Sequence, residues 1–268
     1  MEAEITQKII TLTTDFGLKD PYAAEMKATI LSISPKAIVV DVTHDIDKFN
    51  IRMGAFVLSS VAPYLPEGTI HVAVVDPGVG TRRRPILIKT KHSHFIGPDN
   101  GLLILAARAQ GIKNIHKLTN SRFMLPTVSS TFHGRDVFAP AAAHIANGID
   151  PAEFGPEIRD VVEPNFTKVT LRAGALVGEV LHVDSFGNII TNISERKVKQ
   201  IQTADVVNIE LPHRKLKLKF GKAYGEAKSR EALALIGSHG YFEIAINQGN
   251  AAKKFKANPR NRIKLSFP

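Results

Sequence analysis

The chain has 268 residues and a formal net charge of +10, and 44% of its residues are hydrophobic. This length can bury the core of one large domain or of two smaller ones. The sequence contains no cysteine, which excludes disulfides, thiolate nucleophiles and cysteine metal sites. No apolar run approaches the roughly 20 residues of a membrane-spanning helix, and residues 1–20 lack the pattern of a secretion signal. We therefore expect a cytoplasmic protein without a membrane partner.

Strand and helix patterns alternate through the first half of the chain. The predicted strands are 9–14, 37–42, 70–75, 86–89 and 94–96, and the predicted helices are 21–33, 51–61, 102–110 and a segment that opens at 130–136 and ends near 147. A polar turn joins the fourth and fifth of these strands. The alternation is typical of an α/β domain in three layers with a mostly parallel sheet. We place this domain at residues 1–164.

From residue 165 onward the pattern changes to short strands separated by turn residues. The predicted strands are 175–183, 189–193, 206–210, 215–220, 233–236, 241–246 and 262–267. Such a succession predicts a smaller all-β domain, a barrel or a sandwich, over residues 165–268.

The positive charge is concentrated in this second half, which carries 18 Lys and Arg residues against 8 Asp and Glu residues. Such an imbalance can indicate an acidic partner such as nucleic acid. In the densest basic run, 213–222, Lys alternates with Leu, which is typical of a strand with one solvated and one buried face. We favour the solvated strand over a nucleic-acid partner and keep an electrostatic role as the alternative.

Three short motifs do not support the functions that their letters suggest. The DFG triplet at 15–17 lacks the preceding loops of a protein kinase, and the GVG run at 78–80 lacks the third glycine of a dinucleotide site. His92 and His94 share one strand face, but no third ligand has the spacing to join them. We therefore expect neither a metal site nor a cofactor.

Polar residues collect near the ends of the predicted strands. Asp15, Asp41 and Asp76 each lie near a strand end, and ligands bind at the carboxyl ends of strands in open α/β sheets. His133 lies just before a helix, where its side chain can face the same cleft. A carboxylate that accepts a proton, together with cationic groups that stabilise the developing hydroxide, is suited to activating water.

The turn at 184–188 (DSFGN) is a second candidate binding element. Alone, it is most simply a hairpin turn. Phe186 offers a flat apolar face for a base, and the Asn188 amide offers a donor and an acceptor side by side, which is the pair needed to read an adenine edge.

Five motifs together resemble one enzyme family. They are TTDFG (13–17), VVDPGVGTRR (74–83), GPDNG (97–101), TFHGRD (131–136) and DSFGN (184–188). In order and spacing they resemble the S-adenosyl-L-methionine (SAM) hydroxide adenosyltransferases, which are related to the fluorinase and the chlorinase. The resemblance implies an α/β domain and a small β-barrel domain in a homotrimer, with active sites between the first domain of one subunit and the second domain of its neighbour. It also implies that water attacks C5′ of the ribose, releasing L-methionine and adenosine.

The same resemblance assigns roles to individual residues. Asp76, Arg83 and His133 match the set that handles the attacking water, and Asp15 matches the aspartate that binds the ribose hydroxyls. The remaining matches are Asp20 and Asp184 near the methionine amine, Ser238 at its carboxylate, Phe186 and Asn188 at adenine, Phe49 beside the sugar, and Glu243 and Ala251 as further substrate contacts. Arg82 and Arg84 are expected at the surface.

Two departures from the halogenases bear on the nucleophile. The halogenases have an extra loop where this chain has only residues 89–93, and they lack the counterparts of Asp76 and His133. Both differences favour water over halide. The halogenases also have arginine at the position of His239, so a contact from His239 to the substrate carboxylate stays open. Halide transfer, or a non-catalytic nucleoside or nucleic-acid binding protein, are the alternatives.

Overall fold

The computed structural model describes residues 7–268. The expectation that residues 1–20 are no secretion signal therefore falls partly outside the described residues. The chain divides into two compact units, one extending to Glu163 and the other from Pro164 to Pro268. No helix within 7–268 is long and apolar enough to cross a membrane.

The first unit is built on a six-stranded sheet. Its strands are β1 (Ile9–Thr14), β2 (Ile38–Thr43), β3 (Ile70–Val74), β4 (Pro85–Thr90), β5 (His94–Pro98) and β6 (Ile112–Lys117), in the order β2-β1-β3-β5-β4-β6. The sheet is mixed: three of its five strand pairs are parallel, in line with the predicted mostly parallel sheet, but β4 runs antiparallel to both β5 and β6. The short polar turn between β4 and β5 can join only antiparallel strands. The sequence predicts that pair but not β6, whose polar residues give no regular alternation.

Helices cover both faces of this sheet. They are α1 (Tyr22–Ile33), α2 (Ile51–Val61), α3 (Ile104–Ala109) and α4 (Ala139–Ala146). Along β3, Val72 and Val74 pack into one core with α1 and α4, whereas Ala73 packs into the opposite core with α2 and α3. This alternation gives the unit its three layers.

A π-helical turn, Gly134–Phe138, precedes α4. Sequence analysis predicted one helix opening at 130–136, but regular α-helix begins only at Ala139. Pro140 lies in the first turn of α4, where the lack of an N–H costs little. His133 is the residue that caps the π-helical turn, and turns of this kind recur at functional sites.

The second unit is a nearly closed antiparallel barrel. Its strands are β7 (Thr170–Arg172), β8 (Ala175–Val183), β9 (Ile189–Ser194), β10 (Val206–Leu211), β11 (Arg214–Lys219), β12 (Ala232–Ile236), β13 (Tyr241–Ile246) and β14 (Arg262–Ser266), with helices α5 (Glu195–Val198) and α6 (Ala251–Phe255). The sheet runs β11-β10-β14-β8-β9-β13-β12, and a backbone bridge between Phe220 and Ala234 brings its two ends together. Seven strands were predicted, whereas β7 and the two short helices were not.

The alternating basic run has the structure of a half-solvated strand. Along β11 the lysines are exposed, while Leu216 and Leu218 pack against the barrel core. The predicted solvated face is therefore confirmed. Lysines on such an edge strand also discourage pairing with other chains.

Candidate active site

Asp76 follows β3, and the chain turns back through 77–80 toward β4. The guanidinium of Arg83 contacts its carboxylate: Nε donates to Oδ1 at 3.0 Å and to Oδ2 at 2.8 Å, and Nη2 donates to Oδ2 at 2.5 Å. The side chains of Arg83 and Asp76 are only 9% and 5% exposed. Removing either would leave the other's charge buried without a partner, so the two are held as a unit.

His133 reaches this pair from a distant part of the chain. Its Nδ1 lies 2.8 Å from Nη2 of Arg83. The approach depends on Gly80, where φ is +74° and a Cβ would lie 2.3 Å from the carbonyl oxygen of Ser130. Only glycine allows the 77–80 turn to lie so close to the segment that carries His133.

The contact with Arg83 determines the protonation of His133. A guanidinium offers only N–H donors, so Nδ1 accepts and the neutral ring carries its proton on Nε2. Burial lowers the pKa of His133 and the charge of Arg83 lowers it further, whereas Asp76 and Asp136 act in the opposite direction. The net direction is below the usual 6.5, so the imidazole is neutral at pH 7.

Asp15 follows β1 and is buried. Its Oδ2 accepts a hydrogen bond of 2.9 Å from the backbone N–H of Phe49, and its carbonyl oxygen accepts one from Nζ of Lys48. Phe49 has a φ of +64°, a conformation that costs a non-glycine residue about 1–2 kcal/mol. Its ring is 69% exposed. The bond to Asp15 thus holds a strained residue that presents an aromatic face.

These residues surround one cavity of about 390 Å³ at the carboxyl ends of β1 and β3. Asp15, Asp20, Phe49, Asp76 and His133 line it. Arg83 lies behind them, bonded to both Asp76 and His133. The structure therefore brings together the six site residues that the family resemblance assigns in the first unit.

In the second unit, the carboxylate of Asp184 organises the turn between β8 and β9. Oδ1 accepts from the backbone N–H groups of Phe186 at 3.0 Å and Asn188 at 2.8 Å, and Oδ2 accepts from Nδ2 of Asn188 at 2.9 Å. Asn188 is buried, whereas the Phe186 ring is 77% exposed. Asp184 therefore shapes the turn that presents the two predicted adenine contacts.

The other predicted residues of this unit lie on neighbouring elements. Glu243 is a buried carboxylate on β13; its Oε1 accepts a hydrogen bond of 2.8 Å from the Tyr224 hydroxyl, and its Oε2 lies 3.3 Å from Nε2 of His239. Ala251 is buried at the start of α6. Ser238 is exposed in the turn between β12 and β13.

The α6 helix is tied to the Asp184 turn. The backbone N–H of Ala252 donates to the carbonyl of Gly187 at 2.9 Å. A Cβ at Gly187 would also lie 2.1 Å from the Asn250 side chain. The turn and the helix start are thereby packed against each other.

The sequence matches the models of one protein family in both units. Residues 10–155 match the model of the SAM hydroxide adenosyltransferase N-terminal domain, and residues 178–264 match that of its C-terminal domain. The chain belongs to this family.

Relatives and solved structures agree with the assignment. The chain is 40% identical to the (R)-S-adenosyl-L-methionine hydrolase of Methanocaldococcus jannaschii, covering 97% of this chain and 96% of the relative, and 37% identical to that of Salinispora tropica, covering 96% and 97%. The fluorinase of Actinopolyspora mzabensis is more distant, at 26% identity over 99% of each chain. The crystal structure of an uncharacterized conserved protein from Thermotoga maritima superposes with a TM-score of 0.87 at 35% identity, covering 96% of this chain and 100% of the other.

Sequence reasoning missed several residues around the cavity of this SAM hydroxide adenosyltransferase. Phe16, Tyr22 and Phe132 form one wall, with ring centroids 5.2 to 5.9 Å apart in edge-to-face contacts. Lys48 lines the cavity as well. Phe16 and Phe132 adjoin Asp15 and His133 in sequence, and that adjacency was the signal available. An apolar wall of this kind limits the access of water.

Tyr224 was also missed in the second unit. Burial raises the pKa of its hydroxyl, and the hydrogen bond to Glu243 raises it further. The phenol therefore stays protonated at neutral pH and donates its hydrogen bond to Glu243.

The structure corrects the expectation for Arg84 and separates Asp41 from the cavity. Arg84 is not an ordinary surface residue: Nη2 lies 2.5 Å from Oδ2 of the buried Asp99, and Nη1 lies 3.0 Å from Asp160. Arg84 is therefore the charge partner of a buried carboxylate, and its removal would leave that charge unpaired. Asp41 forms an ion pair of 2.6 Å with Lys27 and does not line the cavity.

His92 and His94 form no metal site with other residues. Across residues 7–268, no group of three or more His, Cys, Asp or Glu side chains is placed to hold a metal ion. His94 is largely buried, and burial together with Lys89 and Lys8 lowers its pKa to about 4.

Proposed function

We propose that this enzyme hydrolyses S-adenosyl-L-methionine to adenosine and L-methionine, with water attacking C5′ of the ribose. The observation that carries the proposal is the hydrogen-bonded cluster of Asp76, Arg83 and His133, two of which line the cavity. The relatives that are named (R)-S-adenosyl-L-methionine hydrolases support the choice of substrate.

The chemistry requires help for the nucleophile rather than for the leaving group. As the C5′–O bond forms, the C5′–S bond breaks and its electron pair stays on sulfur, so the sulfonium leaves as a neutral thioether. No acid, metal or redox cofactor is needed for that departure. The enzyme must instead orient a water and remove its proton, help that is worth about 10²–10⁴-fold.

The three residues divide this work. Asp76 is the carboxylate that accepts the water proton, which then passes to solvent. Arg83 holds Asp76 and His133 in one arrangement, and its charge stabilises the hydroxide as it develops. Since Nδ1 of His133 is occupied by Arg83, its Nε2–H acts as a donor that can orient the water oxygen.

The remaining predicted residues bind the substrate. In this proposal Asp15 binds the ribose hydroxyls, Phe49 packs beside the sugar, and Asp20, Asp184 and Ser238 bind the methionine end. Phe186 and Asn188 contact adenine, and Glu243 and Ala251 are further substrate contacts. The exposed rings of Phe49 and Phe186 are consistent with stacking surfaces that a ligand covers.

We also propose the homotrimer that the family resemblance implies, with each site completed by the second domain of a neighbouring subunit. Sedimentation of the pure protein checks it: a single species of three times the chain mass is expected. The cytoplasmic location and the lack of a nucleic-acid partner stay predictions.

Incubation of the pure protein with SAM, followed by separation of the products, tests the proposed activity. Adenosine and L-methionine should appear in equal amounts. Added chloride or fluoride should give no 5′-halogenated nucleoside, because a halide has no proton to lose and would not use the Asp76 carboxylate. The absence of adenosine above a no-enzyme control would refute the proposal.

A further inference from the structure

A chain of polar contacts lies outside the cavity and behind Asp15. Thr14 Oγ1 lies 2.8 Å from Nδ1 of the buried His44. Nε2 of His44 faces Oδ1 of Asp41 at 3.1 Å, and Oδ2 of Asp41 accepts from Nζ of Lys27 at 2.6 Å. The negative charge of Asp41 favours a ring proton on Nε2, so that Nδ1 accepts from the threonine hydroxyl, although the contact of Nε2 with Asp41 lacks hydrogen-bond geometry.

This series of polar contacts holds the backbone on both sides of Asp15. Before it, Thr14 Oγ1 accepts the backbone N–H of Phe16 at 3.2 Å. After it, the carbonyl of His44 accepts the N–H of Gly17 at 2.7 Å. His44 therefore contacts the 14–17 turn twice, once through its ring and once through its own carbonyl.

His44 also begins the segment that contacts the Asp15 side chain directly. The N–H of Ile46 donates to the carbonyl of Thr14 at 3.3 Å. Three residues further on, the N–H of Phe49 donates to Asp15 Oδ2. The two strand-end segments, 14–17 and 44–49, thus form one unit that has the His44 ring at its centre.

The two buried members of this series of polar contacts, Thr14 and His44, have no access to a substrate. Thr14 is fully buried and His44 is 3% exposed, and neither lines the cavity. A Thr–His–Asp series in this position is therefore not a second nucleophilic site.

We propose that His44, oriented by Asp41, is a positioning residue that fixes the Asp15 carboxylate for the ribose hydroxyls. The inference rests on the proposed function of Asp15. A small misplacement of a binding group costs much of its contribution to the binding free energy. Substitutions of side chains in one hydrogen-bonded network also have effects on affinity that do not add.

The test compares ligands with and without ribose hydroxyls. In the His44→Ala variant, the Kd of adenosine and the KM of SAM should rise about 10-fold, as expected when the buried hydrogen bond between the ring and Thr14 is lost and only the backbone contact to Gly17 remains. Affinity for 2′,3′-dideoxyadenosine should change less than about 2-fold. In the Asp15→Ala background, the further loss caused by His44→Ala should also vanish.

Two further variants keep the test decisive if His44→Ala does not fold. His44→Asn retains a polar atom near the position of Nδ1 and should restore most of the adenosine affinity. Asp41→Asn, at a partly exposed site, should weaken adenosine binding about 2- to 3-fold. His92→Ala, at an exposed histidine, is the control and should match the parent.

Failure of this inference is distinguishable from failure of the proposed function. If the parent enzyme binds adenosine and releases it from SAM, but the His44 variants weaken both nucleosides equally, His44 is only a stabilising residue and the inference is wrong. Effects that add fully in the Asp15→Ala background would also overturn it. If the parent neither binds adenosine nor turns over SAM, the proposed function is wrong first.

Discussion

Nη2 of Arg83 lies 2.8 Å from Nδ1 of His133, although the two residues are 50 positions apart in the chain. The same nitrogen donates to Asp76 at 2.5 Å. One guanidinium thus joins a carboxylate and a neutral imidazole, and it fixes which ring nitrogen of His133 carries the proton.

Removing this guanidinium should raise the pKa of His133. Arg83 lowers that pKa, whereas Asp76 and Asp136 raise it, so the Arg83→Met variant leaves the two carboxylates without the opposing charge. We expect the ring to titrate at higher pH in histidine-labelled protein followed by NMR. Arg82→Met, at an exposed position of the same turn, should leave the titration unchanged. A downward shift in Arg83→Met would contradict the assignment.

Loss of the Asp76 carboxylate should affect turnover much more than binding. In the Asp76→Ala variant, and in the isosteric Asp76→Asn, we expect kcat to fall at least about 100-fold because the proton acceptor is gone. The Kd of adenosine should change less than about 3-fold. Asp205→Ala, at an exposed site, is the control. Equal losses of binding and rate would make Asp76 a substrate contact instead.

The close approach at Gly80 should be needed for activity. Gly80 and Gly148 both have positive φ, but a Cβ at Gly80 would lie 2.3 Å from Ser130, whereas a Cβ at Gly148 meets nothing within 4 Å. Both alanine variants should lose about 1 kcal/mol of stability from backbone strain. Only Gly80→Ala should also lower kcat, by about 10-fold or more, because the Asp76 turn is pushed from His133. Similar kcat values in both variants would contradict a role of the close approach at Gly80 in activity.

Stability should fall in mild acid because of buried histidines. His71 stacks on Phe95 at 4.7 Å and contacts Thr11 Oγ1 at 2.9 Å, and burial lowers its pKa to about 4. Between about pH 6.5 and 4 the unfolded chain binds a proton that the folded protein does not, so stability decreases as the pH falls through this window. The loss reaches about 3 kcal/mol for one such histidine.

The His71→Asn variant isolates this contribution. Its free energy of unfolding should depend less steeply on pH over the same window, with the remaining slope due in part to His94. Urea titrations at pH 5 and pH 7 measure the difference. The same pH dependence in the parent and in His71→Asn would show that His71 binds a proton as readily in the folded protein as in the unfolded chain.

Local patterns in the sequence were sufficient for most of the fold. The Lys–Leu alternation of β11 and the β-branched runs of β1 and β3 each depend on neighbours two residues away, which the sequence displays directly. Strand β6 was missed because Lys113 and Asn114 interrupt its apolar pattern. The place of β6 at the sheet edge beside β4 is a long-range property that no local pattern displays.

The site was predicted less completely for the same reason. Local pattern cannot distinguish Arg83 from Arg82 and Arg84, because the difference between them lies in contacts with His133 and Asp99, far along the chain. The resemblance to a family supplied that choice. The partnership of Tyr224 with Glu243 likewise joins elements that no short motif connects.

The origin of the adenosine 5′-oxygen tests the central claim most directly. SAM is incubated with the enzyme in H₂¹⁸O with chloride present, and the nucleoside product is examined by mass spectrometry. We predict adenosine that carries one ¹⁸O at the 5′ position, formed by the parent enzyme and at least about 100-fold more slowly by Asp76→Asn. A 5′-chlorinated nucleoside, or adenosine without the label, would contradict attack by water activated at Asp76.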